Sequence, residues 1–175
     1  VEKVSRLRET NHIMSVIIDD LIHLTGATQG VISLLPTDRS GNLVTIIRKT
    51  QPLLVDFPFH VNQLISGYVL HHKRLLKIDD LDNDDRFEPL SSGDGRFKSL
   101  LCCPMIARGE IIGLTTLLRD SGAGPFDDSH ARLAGIIVSQ SGQILANALL
   151  LEELAQKNEL LELSQQKLHE ENLQL

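Results

Sequence analysis

The residues able to do chemistry sit in three places. Cys102 and Cys103 are the two cysteines of the chain, adjacent in KSLLCCPM. They read either as a redox pair or chromophore attachment site, or as two small buried residues. Neighbours on a strand point to opposite faces, which disfavours a disulfide between them. Free cysteine is also among the most buried residue types. His71 and His72 could offer imidazole to a haem, but adjacent residues on a helix diverge by about 100°. A solvated surface pair is the simpler reading. Asp79, Asp80, Asp82, Asp84 and Asp85 crowd the stretch DDLDNDDRFEPLSSGDGRF and could give hard oxygens to a divalent cation. Their spacing does not fit an EF-hand loop, and no glycine stands where its turn would need one. Asp-rich turns account for them, and no metal site is expected. No nucleophile–base pairing and no phosphate-cradling glycine loop occurs. Ser66-Gly67 and Ser92-Gly93 lack any triad pattern. The expectation is a non-enzyme.

Composition narrows the classes further. The chain has 175 residues, 42% apolar and 23% charged, with net charge -6. That suits one domain with extensions and a real core. Basic residues are scattered, Lys73-Arg74 being the densest pair, and aromatics are 3%. A nucleic-acid surface needs clustered cations and stacking platforms, so none is expected. No apolar run approaches the ~20 residues of a membrane span. The charged start VEKVSRLRET is unlike a signal peptide. Two reduced thiols fit a cytoplasmic setting. The initial Val suggests a piece of a longer protein, whose remainder could carry a membrane anchor.

The elements that must position these residues follow from periodicity. Glu2 to about Thr25 reads as a helix, with Val4, Leu7, Asn11, Met14, Ile18, Leu21 and Thr25 at alternating three- and four-residue steps. Ile13, Ile17 and Leu24 form a second stripe. Two stripes imply two contacts, one with the helix's own domain and one with a partner. Gly26 suits a C-cap. Gln29–Leu35 and Leu43–Lys49 read as paired strands around the turn residues 37–42. Val61–His72 reads as a short helix and Leu75–Ile78 as a strand. Asp79–Phe97 reads as a long functional or disordered loop. Ser99–Leu118 reads as a central hairpin turning at Arg108-Gly109-Glu110, with Gly109 supplying a positive φ.

A last helix starts near Asp127, an N-cap candidate, and runs to Leu175. Gly135 and Gly142 lie on one side of it, which close packing would justify. Leu154, Leu161, Leu168 and Leu175 recur every seven residues. Taken as d positions, they put Ile137, Ile144, Leu151, Asn158, Gln165 and Asn172 at a. Leucine at d with polar a residues suits a parallel dimer. The expected interface is Leu7, Met14, Ile144, Leu151, Leu154, Asn158, Leu161 and Leu168.

The order of these parts resembles a GAF domain, the small-molecule sensing module of signalling proteins. The resemblance covers about Asp19 to Leu154. It rests on Gly67 in ISGYVLHHKRLLKIDDL, on Asp85-Arg86-Phe87, on Ser99, Cys102 and Pro104 in KSLLCCPM, on Gly113 in EIIGLTTLL, and on FDDSHARLAGIIVSQSGQILANALL. It implies an α+β, PAS-related fold. An antiparallel sheet of five to six strands would carry the terminal helices on one face. A pocket roofed by the middle helix and long loop would lie on the other. The division implied is 1–25 signalling helix, 26–150 sensor domain and 151–175 coiled-coil linker to an effector in the same chain. A ligand would be sought near Tyr68, Phe87, Arg96, Phe97 and Ser99. The family's cyclic-nucleotide signature is incomplete around Phe126-Asp127-Asp128. The cysteines lie in a strand rather than where bilin-binding relatives place theirs. Cyclic nucleotide, bilin and haem are therefore disfavoured, and no cofactor is expected. The implied function is a bacterial-type sensor relaying ligand state through a homodimer to an output domain, as in two-component systems. The rival is a ligand-free dimerising spacer.

Overall fold

The computed structural model describes residues 2–35, 44–51, 57–90 and 97–174, with side chains from Glu9 onward except Phe59. The order is α1 (Glu2–Thr25), β1 (Gln29–Leu34), β2 (Val44–Lys49), α2 (Phe59–His72), β3 (Leu76–Ile78), β4 (Phe97–Ala107), β5 (Glu110–Asp120) and α3 (Asp128–Leu173). The strands form one antiparallel sheet in the order β2-β1-β5-β4-β3. The fold class is the α+β architecture expected, with five strands among the described residues.

Local chemistry sets the element ends. Gly26, at φ 68°, closes α1 with its N–H donating to the Ile22 carbonyl at 3.0 Å. The β4–β5 hairpin turns on Arg108 and Gly109, both at positive φ, as a two-residue primed turn requires. Gly113 has no room for a side chain, since a Cβ there would lie 2.6 Å from the Ser33 carbonyl. Asp127 caps α3, its carboxylate accepting from the His130 N–H at 2.7 Å while His130 Nδ1 accepts from the Asp127 N–H.

Register sorts the central hairpin onto two faces. Leu101, Cys103, Met105 and Leu117 point to α1 and α3, packing with Met14, Ile18, Leu21, Phe126, Ala134 and Val138. Leu100, Cys102, Leu114 and Leu118 point the other way, toward Val61, Ile65 and Val69 of α2. The sheet is thus covered on both sides, which explains why its middle strands are apolar almost throughout. Each fully buried leucine or isoleucine contributes about 1.5–3 kcal/mol.

α1 differs from expectation on its second stripe. Ile13 and Ile17 line a trough with Ile137 and Ile144 of α3, so that part of the stripe faces a helix of the same chain, while Leu24 is 48% exposed. α3 lies on β4, where a Cβ at Gly142 would meet the Ile106 carbonyl at 3.5 Å. One stretch of α3 reaches a mean hydropathy of 1.4 over 18 residues, apolar enough by composition to cross a membrane. Its Ala134, Val138, Gly142 and Leu145 are buried against the domain. The helix then leaves that surface, and every described residue from Gln156 to Gln174 is exposed.

Candidate functional site

The face roofed by α2 gathers three of the expected ligand residues. Tyr68, near the end of α2, lies 5.1 Å from Phe87 of the following loop, centroid to centroid. Phe97, opening β4, meets Phe57 edge-on at 5.8 Å. All four pack against the buried cluster of Val61, Ile65, Leu100 and Leu118. Ser99 does not join them. A bulge between Phe97 and Ser99 pairs Ser99 with Arg119, on the face of Leu101 and Cys103. Arg96 lies outside the described residues.

His71 and His72 are exposed at the end of α2. His72 stacks on Tyr68 at 4.0 Å and meets the ring of His71 edge-on at 5.0 Å. Its Nδ1 lies 2.9 Å from the Tyr68 carbonyl, which fixes Nδ1 as the protonated nitrogen.

The acidic loop supplies its own counter-ions. Asp84 accepts from the Arg86 backbone N–H and Nε, both at 2.9 Å, and from Nη2 at 2.7 Å. That Arg86 contact holds the Asp84 carboxyl below its ordinary value. Arg86 Nη2 also donates to the Lys77 carbonyl at 2.7 Å, tying the loop to β3. Asp80 is held low by Asn83 first, then by the Asp82 N–H and by Lys98 at 3.1 Å. Lys77 reaches Asp79 at 2.6 Å. Among the described residues no group of three or more His, Cys, Asp or Glu could hold a metal ion.

Both thiols are buried. Burial pushes Cys102 up to about 12 despite the Thr116 hydroxyl donating to its sulfur at 3.4 Å, and pushes Cys103 up as well. Such thiols stay protonated at neutral pH and are poor nucleophiles.

The helical surface is the other candidate. Ile144, Leu151, Leu154, Leu161 and Leu168 are all at least half exposed, at 57%, 68%, 50%, 62% and 58%. Asn158 is exposed between them. Met14, on α1, is 0% exposed within its own domain, packed in the cluster with Leu101, Leu117 and Val138, which removes it from the expected interface. Leu7 lies in α1, and its side chain is outside those described.

Sequence reasoning passed over Arg119 and Gln29. Arg119, at the end of β5, is 9% exposed. Its guanidinium donates to the Thr25 carbonyl at the end of α1 and to the carbonyls of Pro125 at 3.1 Å and Ala123 at 3.4 Å. It also covers the Phe126 ring at 4.7 Å. A cation at a helix C-terminus is favourable. The only sequence signal was a charge at the end of an apolar strand.

A profile of the GAF domain family matches residues 8–146. The chain belongs to the GAF domain family. Solved GAF domains share its fold at low identity. That of PixJ from Thermosynechococcus elongatus, described as a blue-light absorbing form, is 16% identical, covering 87% of this chain and 94% of its own, with a TM-score of 0.62. The GAF domain/HD domain protein from Geobacter sulfurreducens is 17% identical over 81% of this chain and 94% of its own, with a TM-score of 0.61. The second GAF domain of DevS from Mycobacterium smegmatis is 16% identical over 87% of this chain and 99% of its own, with a TM-score of 0.52. Within the GAF fold, the α2 face and the α1–α3 surface stand on opposite sides of one sheet.

Proposed function

We propose that this GAF domain is a non-catalytic sensor module of a cytoplasmic signalling protein. A small molecule engages the α2 face, and its presence biases how two copies pair through α3. A downstream effector domain of the same chain would read that pairing. The observation that carries the reading is the continuity of α3. One helix packs on β4 through Ala134, Val138, Gly142 and Leu145, then projects the leucine repeat into solvent as far as Leu173. Any displacement of the sheet-bound turns moves the repeat rigidly. A ligand can shift such a pairing only by binding its two arrangements unequally. Asn158 at an a position would favour two strands in one register.

Replacing Leu154 and Leu161 together with Lys tests the pairing. Sedimentation velocity should show a folded monomer where the parent chain is a dimer. A dimer that survives both lysines would move the interface off α3. A spacer without ligand is the second reading, favoured by how densely the α2 face is filled. Val61, Ile65, Val69, Ile78 and Leu100 are all fully buried there. Thermal shift against a metabolite panel separates the two. A shift supports the sensor, and an unmoved midpoint throughout supports the spacer.

A further inference from the structure

α3 carries its apolar a and d residues on two lines that do not join. Ile137, Ile144 and Leu151 stand seven apart at a, and the d positions beside them are the exposed polar residues Gln140 and Asn147. From Leu154 the pattern inverts. Leu154, Leu161 and Leu168 hold d, and the exposed Asn158, Gln165 and Asn172 hold a. The step from Leu151 to Leu154 is three residues, which at about 100° each carries the apolar line about 60° round the helix. The helix itself is uninterrupted across the step. Ile144, Leu151 and Ala155 form one wall of a groove whose other wall is Glu9, Thr10 and Ile13 of α1. Ile144 and Leu151 nevertheless stay more than half exposed. A second copy of α3 fits both lines, since both follow one heptad. Charge agrees with a parallel copy: Lys157, 3.1 Å from Glu153 in its own chain, stands at g and faces Glu162 at e of the other.

Rotation of paired helices about their axes decides whether a or d points more directly at the partner. One rotation seats Ile144 and Leu151 and turns Leu154, Leu161 and Leu168 toward the rim. The other seats the three leucines and brings Gln140 and Asn147 inward. The two halves of one rigid helix therefore favour opposite rotations. We propose that the Leu151–Leu154 step makes α3 a two-position switch, in which paired copies exchange between a rotation packed on Ile144 and Leu151 and one packed on Leu154, Leu161 and Leu168. Each rotation buries apolar residues in one half and polar residues in the other, so the two lie close in free energy. A ligand can then shift their populations with a modest difference in affinity. The rotation is set at the root of α3, where Ala134, Val138, Gly142 and Leu145 are buried against the domain. The proposal rests on the pairing reading above and names how that pairing is regulated.

The test uses the whole chain and times disulfide bridging between copies under mild oxidation. Ile144→Cys reports the a-facing rotation and Asn147→Cys the d-facing one, each made separately. Both reporters are placed in the parent tail and in a tail with its polarity exchanged by Asn158→Leu, Leu161→Asn, Gln165→Leu and Leu168→Asn. The exchange keeps the number of leucines and begins at least about 15 Å along the helix from either reporter. It should raise the ratio of Ile144 bridging to Asn147 bridging about tenfold. The opposite exchange, Ile144→Asn with Asn147→Ile, should favour bridging by Leu161→Cys over Gln165→Cys by a similar factor. Both exchanges align the two apolar lines, so both proteins should dimerise at least as tightly as the parent in sedimentation. Loss of the dimer from both would overturn the proposal. Ratios left unchanged in proteins that still dimerise would mean that the step relaxes locally, ending the proposal and leaving the pairing intact. A parent chain that sediments as a monomer and bridges at none of the four positions would remove the pairing reading, and the switch with it.

Discussion

Arg119 ties the last turn of α1, remote in sequence, to the β5–α3 connection that carries Ala123, Pro125 and Phe126. Arg119→Ala should lower stability by about 2 kcal/mol in urea unfolding, since charged hydrogen bonds to one buried and two partly buried carbonyls are lost together. Arg119→Lys should recover little of it, because an ammonium cannot span carbonyls on two sides. A second residue-scale expectation concerns acid. Asp84 is lowered in the folded chain by Arg86. Its contribution is therefore fully present above its ordinary value of 3.8 and is lost as pH falls from there through the lower folded value. The urea midpoint of the parent should fall across that window. Asp84→Asn should start lower and fall less, and parallel curves for the two proteins would count against the loop's ion pair. These roles were not legible in the sequence. Arg119, Gln29 and Ser99 take their surroundings from cross-strand register, which one bulge or one residue of slip reverses.

At the scale of elements the sequence was far more legible. Periodicity marks α1 from Glu2 to Thr25, and turn chemistry marks the hairpin at Arg108-Gly109 and the cap at Asp127. These signals are local, so no tertiary information is needed to read them. What periodicity cannot say is which neighbour receives each stripe. α1 shows two apolar stripes: Met14 of the first is in the core, and Ile13 and Ile17 of the second face α3 of the same chain while Leu24 is exposed. α3 lies against β4 at Gly142, and the contacts there set a measurable limit. Ordinary contact distances of 3.5 Å and more leave room for one methyl. Gly142→Ala should be neutral or stabilising by up to about 1 kcal/mol through helix propensity. Gly142→Leu should cost about 2 kcal/mol or more by lifting α3 off β4. Calorimetric midpoints distinguish the two, and equal effects would mean that the contact does not set the helix position.

Across the whole molecule, one sheet separates a face that can take a ligand from a face that carries the terminal helices. Its two middle strands contribute side chains to both. Leu100 and Cys102 touch the α2 cluster while Leu101 and Cys103, their immediate neighbours, touch α1 and α3. A change in packing on one face therefore has a short mechanical path to the root of α3. The repeat beyond Leu151 turns that into a prediction about pairing, testable by single cysteines at d positions. Leu154→Cys and Leu168→Cys are made separately and oxidised mildly. Cys102 and Cys103 stay out of the reaction because both are buried. A parallel, in-register pair brings each new cysteine within about 7 Å of its own copy, close enough to bridge. The account predicts a covalent dimer from both variants. An antiparallel pair can bridge at one of the two positions at most and a monomer at neither, and either result would contradict it.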